Sequence, residues 1–192
     1  GALGASFLVY GIALLYGATG TTHFATLSQS YQTLSGMQSI SLFWGGIIFV
    51  TAGLCFKAAA VPFQFWAPDV YEGACTPVTA FMSVGVKSGA FFAFARVFLL
   101  AFHGFHPLWN EGIALIAVIT LIFGNLVALR QLNLRRLFAY SGISHTGFLL
   151  VAVASPGPSA VPALLFYLIV YAAATLGAFA VICFLDKNEG GV

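Results

Sequence analysis

The sequence predicts an all-α integral membrane protein with about six transmembrane helices, and three observations lead to this fold class. Of the 192 residues, 60% are hydrophobic and only 6% are charged, whereas soluble domains carry roughly 25% charged residues. The mean hydropathy is +0.99. The apolar residues form continuous runs rather than the alternating pattern of a transmembrane β-strand. We therefore expect one transmembrane region over residues 1–192, surrounded by a lipid bilayer.

Six apolar segments are long enough to cross a bilayer, which takes about 20 helical residues. Short loops rich in glycine, proline and polar residues separate them. The predicted spans are about 1–17, 40–61, 76–102, 111–129, 137–155 and 160–185. Residues 23–34 are expected to form a short interfacial helix. The chain opens directly in an apolar run, so we expect a piece of a longer protein.

The second span is predicted to be discontinuous near Pro62. Proline lacks a backbone N–H and disfavours helix at the residue before it, yet the sequence stays apolar and aromatic to Trp66. The span is therefore expected to continue past the break to about residue 67. Broken helices at membrane depth lie against protein or a water cavity and mark ion sites in transporters. The alternative is an ordinary proline kink.

The arginine-rich loop 130–136, RQLNLRR, predicts the orientation of the chain. Short cytoplasmic loops carry an excess of lysine and arginine. Placing this loop in the cytoplasm leaves the loops on the other side, within 18–39, 103–110 and 155–160, without lysine or arginine. The charge pattern is thus consistent with a cytoplasmic loop 130–136.

Three titratable basic side chains are predicted to lie deep in the membrane. Lys87 follows the start of its span by about 16 Å of helix, and His145 follows the arginine loop by about 13 Å, at 1.5 Å per residue. Lys57 lies near the midplane if its span breaks and continues. Ionisable groups inside a membrane are costly and are functional candidates by default.

Each of these three residues also has a structural interpretation. Lys87 is accounted for by pairing with a nearby carbonyl, Lys57 by snorkelling to the interface, and His145 by hydrogen-bonded packing. Tyr167 and Tyr171, one turn apart, are weaker candidates for holding water. The acidic residues are all expected in loops, which leaves no carboxylate for the lysines: Asp69, Glu72, Glu111, Asp186 and Glu189.

Three long blocks of sequence closely resemble the N subunit family of respiratory complex I, an antiporter-like proton channel. They are GLCFKAAAVPFQFWAPDVYEGACTPVTAFMSVGVKSGAFFAFARV at 53–97, IFGNLVALRQLNLRRLFAYSGISHTGFLLVA at 122–152 and GASFLVYGIALLYGATG at 4–20. The resemblance covers nearly the whole chain and implies a partial antiporter-like proton-channel fold. It also implies a multi-pass protein of the bacterial inner (plasma) membrane.

The resemblance implies proton-transfer roles for Lys57, Lys87 and His145, which match two channel lysines and a histidine of the family. It places the glutamate partner of Lys57 before residue 1 and a further channel lysine beyond Val192. Gln64 departs from a histidine common in relatives, which argues against a proton relay there. Gly142 departs from a usual serine.

The implied function is proton translocation coupled to quinone reduction in other subunits of NADH:quinone oxidoreductase. NADH, FMN, iron–sulfur clusters and quinone would bind those partner subunits, and no cofactor or metal would bind this chain. The partners are other membrane-arm subunits, with no nucleic acid. Two alternatives stay open: a subunit of a multi-subunit cation/proton antiporter, and a non-conducting structural membrane module.

Overall fold

The computed structural model describes residues 1–34, 36–155 and 157–189. Within these ranges the secondary structure is helical. In chain order the helices are α1 (Ala2–Thr19), α2 (Phe24–Thr33), α3 (Met37–Ala58), α4 (Trp66–Gly73), α5 (Thr76–Ala101), α6 (His106–Ala128), α7 (Leu134–Ala154) and α8 (Ala160–Glu189). Six of them, α1, α3, α5, α6, α7 and α8, are long and apolar enough to cross a membrane. The all-α membrane fold class is confirmed.

The predicted discontinuity near Pro62 is present, and it begins before the proline. Helix α3 ends at Ala58, and Ala59 has the left-handed φ of 59°. The Val61–Pro62 peptide bond is cis. Helix α4 resumes at Trp66 and runs to Gly73, further than the sequence suggested. Residues 59–61, expected to be helical, are therefore part of the break.

Two helix pairs pack closely at glycines, as small residues allow in membranes. In the α1–α3 pair, a Cβ atom placed on Gly11 would lie 2.7 Å from the backbone nitrogen of Val50. In the α6–α7 pair, a Cβ atom on Gly124 would lie 2.7 Å from the backbone nitrogen of Ser144. The backbone of α7 beside His145 therefore lies directly against α6.

An aromatic cluster joins α3, α5 and the start of α6. The rings of Phe94 and Phe98 stack at 5.6 Å, and Phe98 lies 4.9 Å from Trp109, edge to face. The short helix α2 packs on this cluster through Tyr31, whose ring lies 5.6 Å from that of Phe43. The cluster anchors the half of α5 that follows Lys87.

Ion pairs fasten α4 to the start of α7, which corrects the expectation that Asp69 and Glu72 lie in a loop. Both belong to α4, and Arg136 Nη1 lies 2.9 Å from Asp69 Oδ1 and 2.7 Å from Glu72 Oε2. Asn133 caps α7, since its side-chain oxygen accepts hydrogen bonds from the backbone N–H groups of Arg135 and Arg136. Arg136, from the arginine-rich segment 130–136, thus holds α4, the second half of the broken helix, in place.

Candidate functional site

Lys87 lies inside the helix bundle, immediately after a π-helical segment of α5 at Met82–Val86. Such segments are rare and occur frequently at functional sites. The side chain is buried, and its ammonium group donates a hydrogen bond to the carbonyl of Gly142 in α7. Nζ also lies 5.1 Å from the ring centre of Tyr171 in α8. An ammonium group has three N–H donors, and this carbonyl accepts from only one of them. The carbonyl is also neutral, so it does not form an ion pair with the ammonium group.

The hydroxyl of Thr146 connects the Lys87 contact to the broken helix. Its oxygen lies 2.8 Å from the carbonyl oxygen of Ala58, the last residue of α3, and 3.2 Å from that of Gly142. A single hydroxyl therefore lies between the carbonyl that binds Lys87 and a carbonyl freed by the break, and its one proton is donated to one of the two at a time. Thr146 is fully buried, so water does not replace this link.

Other backbone groups at the break also find side-chain partners. Trp66 Nε1 donates to the carbonyl of Phe56 at 2.8 Å, and the N–H of Val61 donates to Thr120 Oγ1 at 3.1 Å. Irregular backbone at membrane depth is tolerated when protein satisfies it in this way. The break is consequently a fixed feature held by α4, α6 and α7.

Lys57 and Lys87 line the same narrow cavity beside the break. Its volume is about 10 Å³, close to the lower limit for one water molecule. Trp66 and Tyr71 form part of its wall. The Lys57 side chain is otherwise exposed on the outside of the bundle. Among the residues that the structure describes, no carboxylate forms an ion pair with either lysine.

His145 lies on the other side of Lys87, against two tyrosines of α8. Its Nδ1 is 2.7 Å from the hydroxyl oxygen of Tyr167, and its ring centre is 4.8 Å from that of Tyr171. Tyr171 therefore touches both Lys87 and His145. A cavity of about 230 Å³ opens at this point between α7 and α8.

The structure thus brings the three predicted site residues together in pairs. Lys57 and Lys87 share a cavity, and Lys87 and His145 share a tyrosine neighbour. Thr146, which connects the break to Lys87, was not singled out from the sequence, because one more threonine in an apolar helix carries no distinguishing signal. For Tyr167 and Tyr171 the signal was their spacing of one helical turn.

Replacing Thr146 by valine removes the link between the break and the Lys87 contact while keeping the side-chain shape. The buried carbonyl of Ala58 then loses its partner, which costs about 1–3 kcal/mol. We expect a lower thermal unfolding temperature of the full-length subunit and slower proton movement through it. Serine keeps the hydroxyl and is the control, so a Thr146→Ser variant as impaired as Thr146→Val contradicts this role.

Comparison with known proteins places the chain in one family of membrane proteins. Residues 1–190 match the family described as NADH:quinone oxidoreductase/Mrp antiporter, transmembrane region. The NADH-quinone oxidoreductase subunit N of Protochlamydia amoebophila is 54% identical over 192 residues, which is 100% of this chain and 40% of the relative.

Two solved structures contain the same fold. A chain of respiratory complex I from Thermus thermophilus with bound aureothin matches with a TM-score of 0.77 and 39% identity, over 95% of this chain and 38% of that one. A chain of the archaeal membrane-bound sulfane sulfur reductase matches with a TM-score of 0.85 and 31% identity, over 99% of this chain and 38% of that one.

The fold defines an antiporter-like multi-pass membrane protein. The chain belongs to the NADH:quinone oxidoreductase/Mrp antiporter family, and with its bacterial relatives and six apolar helices it is an inner-membrane protein. It spans about two fifths of the length of the curated relatives that it matches. The cytoplasmic side of loop 130–136 stays a prediction.

Proposed function

We propose that the chain is the central part of a proton-translocating membrane subunit of an NADH:quinone oxidoreductase. Support comes from the 54% identical relative that carries the subunit N name and from one observation above all. That observation is Lys87, a buried lysine without a carboxylate partner among the described residues, located between the broken helix and His145. Burying a lysine inside a membrane costs free energy, which argues against a purely structural role for Lys87.

Lys57, Lys87 and His145 take and release the protons in this proposal. Lys57 and Lys87 line one cavity, so two positive charges there repel each other across a medium of low dielectric constant. A proton that arrives at Lys57 then pushes the proton of Lys87 onward. His145, whose side chain ordinarily titrates near neutral pH, receives the proton on the far side.

Energy for this transfer comes from partner subunits of the membrane arm and of the redox arm. NADH, FMN, iron–sulfur clusters and quinone act in those subunits, and this chain contributes a proton path. In this proposal changes in the partners reach Lys87 through the broken helix, because the hydroxyl of Thr146 lies within hydrogen-bond distance of the carbonyl of Ala58 and of the Gly142 carbonyl that Lys87 contacts.

The test is proton pumping in vesicles that carry the full complex, with Lys87→Ala in the full-length subunit. We expect pumping and quinone reduction to fall by roughly tenfold or more, since a positioned proton-transfer group contributes at least that much. Arg96→Ala is the matched control, because Arg96 is a basic residue of the same helix whose exposed side chain lies over the ring of Phe24. Both variants are compared at equal assembly.

Persistence of both activities in Lys87→Ala would overturn the proposal in favour of a structural module.

A cation/proton antiporter is the second candidate, favoured by the description of the matched family. It predicts that transport by the full complex requires sodium in the medium, whereas the proton-path proposal predicts equal pumping in sodium and potassium salts.

A further inference from the structure

We propose that the groove between α1, α3 and α5 binds an acyl chain of an anionic phospholipid, and that Arg96 at the mouth of the groove binds the lipid phosphate. The inference goes beyond the proposed function and does not depend on it. Lys57, Lys87 and His145 do not line this groove, so the lipid site is separate from the proton path.

The groove has the size and the lining that a hydrocarbon chain requires. Its volume is about 380 Å³, within the range of small-molecule sites. The lining side chains are apolar except for those of Thr21 and Thr22. Ile12 of α1 and Phe24 of α2, both in the lining, are 52% and 38% exposed. The groove therefore opens on the outer surface of the helix bundle.

The depth of the groove matches one leaflet of a bilayer. Its deepest lining residue in α1 is Leu8, 11 residues before Thr19 at the end of that helix, which is about 16 Å at 1.5 Å per residue. Leu54 of α3 lies at the same depth, because its neighbour Gly53 packs against Leu8. One leaflet is about half of the roughly 30 Å hydrocarbon core. An acyl chain that enters from the membrane surface thus fits this depth.

Polar and charged groups lie where the groove reaches the membrane surface. Thr21 and Thr22 belong to the loop between α1 and α2. Arg96 precedes the lining residue Val97 in α5, and its guanidinium lies over the ring of Phe24, 5.7 Å from the ring centre. Arginine keeps its charge at an interface while its stem covers apolar surface. The site is therefore apolar inside and cationic at its mouth, which is complementary to an anionic phospholipid.

Arg96 is suited to binding a phosphate and has no carboxylate partner in the described part of the chain. A guanidinium presents five N–H donors in a planar fork that matches phosphate oxygens. The ion pairs among the described residues do not include Arg96. The lining residues include no aspartate or glutamate. A lipid whose headgroup carries a net negative charge is favoured over a zwitterionic one, whose amine would be repelled by the arginine.

The rival occupant is a further helix of the full-length subunit, since this chain spans about two fifths of its curated relatives. A transmembrane helix in the groove would follow α1 along its whole length. The lining instead ends at Leu8, and α1 continues from there to Ala2. Such a helix would also leave the charge of Arg96 against an apolar surface. Both observations favour a lipid.

The experiment uses the full complex in phosphatidylcholine vesicles that contain a small fraction of phosphatidylglycerol with a photoreactive group on one acyl chain. After illumination, mass spectrometry of the digested subunit identifies the labelled residues. We expect label on groove residues such as Ile12 and Val97 at a higher yield than on the outer face of α6. Leu115 and Val118 of that face are exposed to a similar extent as Ile12, so they report labelling by bulk lipid.

Val97→Trp tests whether the groove itself holds the chain. The indole takes the space of the acyl chain, so we expect the label on Ile12 to fall while the label on α6 stays the same. Leu100→Trp is the matched control, because Leu100 is an exposed residue of the same π-helical segment, Ala95–Ala101, and does not line the groove. Equal labelling of Ile12 in the two variants at equal assembly contradicts a chain in the groove.

Arg96→Gln tests the headgroup contact. A basic residue near the membrane surface attracts an anionic lipid by about fivefold, so we expect labelling of the groove by phosphatidylglycerol to fall by about that factor. Arg96→Lys keeps the charge and is expected to retain most of the labelling. Photoreactive phosphatidylcholine, with the same chains, is expected to label the wild-type groove about as weakly as phosphatidylglycerol labels Arg96→Gln.

Three results would overturn the lipid site. Equal yields in the groove and on the outer face of α6 would mean that only bulk lipid reaches both. Label on α6 with none in the groove would mean that another segment of the full-length subunit fills it. Groove labelling that is the same in wild type and Arg96→Gln would remove the role of Arg96. All three leave the proton-path proposal untouched, since the Lys87→Ala comparison tests that proposal separately.

Discussion

Adding one methyl group at Gly124 is expected to destabilise the folded subunit by about 2–3 kcal/mol, near the upper end for overpacking in a well-packed interior. The new Cβ atom would lie 2.7 Å from the backbone nitrogen and 3.0 Å from the Cα atom of Ser144. Backbone atoms inside a helix have no rotamer to change, so α6 and α7 must separate. The movement also shifts His145, the next residue of α7, and we expect proton pumping to fall with stability.

Gly112→Ala is the matched control for Gly124→Ala, because it makes the same change in the same helix. A Cβ atom at Gly112 meets nothing within 4 Å, and alanine favours helix over glycine by up to about 1 kcal/mol. We expect an unchanged or slightly higher unfolding temperature in detergent. Equal unfolding temperatures for the two variants would contradict the close contact between α6 and α7.

The fold was predictable because membrane crossing depends on composition and length. Continuous apolar runs must form helices in lipid, where every backbone polar group needs an internal partner, and six such helices are present. Pro62 indicated the break, but the helix already ends at Ala58. The end is set by partners distant in sequence, such as Thr120 and Thr146, and no local pattern predicts them.

The candidate site was predictable mainly in its basic, titratable members. Lys57, Lys87 and His145 stand out because titratable groups are rare inside membranes. Their neighbours are ordinary residues whose importance comes from packing. Gly142 is the clearest case, since its lack of a side chain matters only because α5 and α8 bring Lys87 and Tyr171 beside it.

Asp69 and Glu72 show how a correct general rule fails for particular residues. Loop carboxylates are usually solvated, and surface ion pairs contribute little to stability. Here α4 extends the broken helix far enough to bring both carboxylates to Arg136. The prediction was wrong because the length of α4 depends on contacts with α7 that the sequence pattern does not reveal.

Removing Arg135 is expected to loosen the three helices that carry the site. Arg135 Nη2 of α7 lies 2.6 Å from Asp186 Oδ2 of α8, and the hydroxyl of Thr76, the first residue of α5, donates to the same carboxylate oxygen. The side chains of Arg135 and Asp186 are only 20% and 17% exposed. Breaking a fully buried pair costs about 3–5 kcal/mol, so for this partly exposed pair we expect Arg135→Ala to cost about 1–3 kcal/mol.

The junction at Asp186 ties together the beginnings or ends of the helices that hold Lys87, His145 and Tyr167. Loosening it lets these helices separate, so we expect Arg135→Ala to reduce proton pumping as well as the unfolding temperature. Arg130→Ala is the control, because Arg130 is exposed and forms no ion pair within the described part of the chain. In a double-mutant cycle, the effects of Arg135→Ala and Asp186→Asn should be less than additive, since the two residues share one ion pair, although Asp186 also accepts from Thr76. Full additivity would mean that Arg135 and Asp186 contribute nothing as a pair.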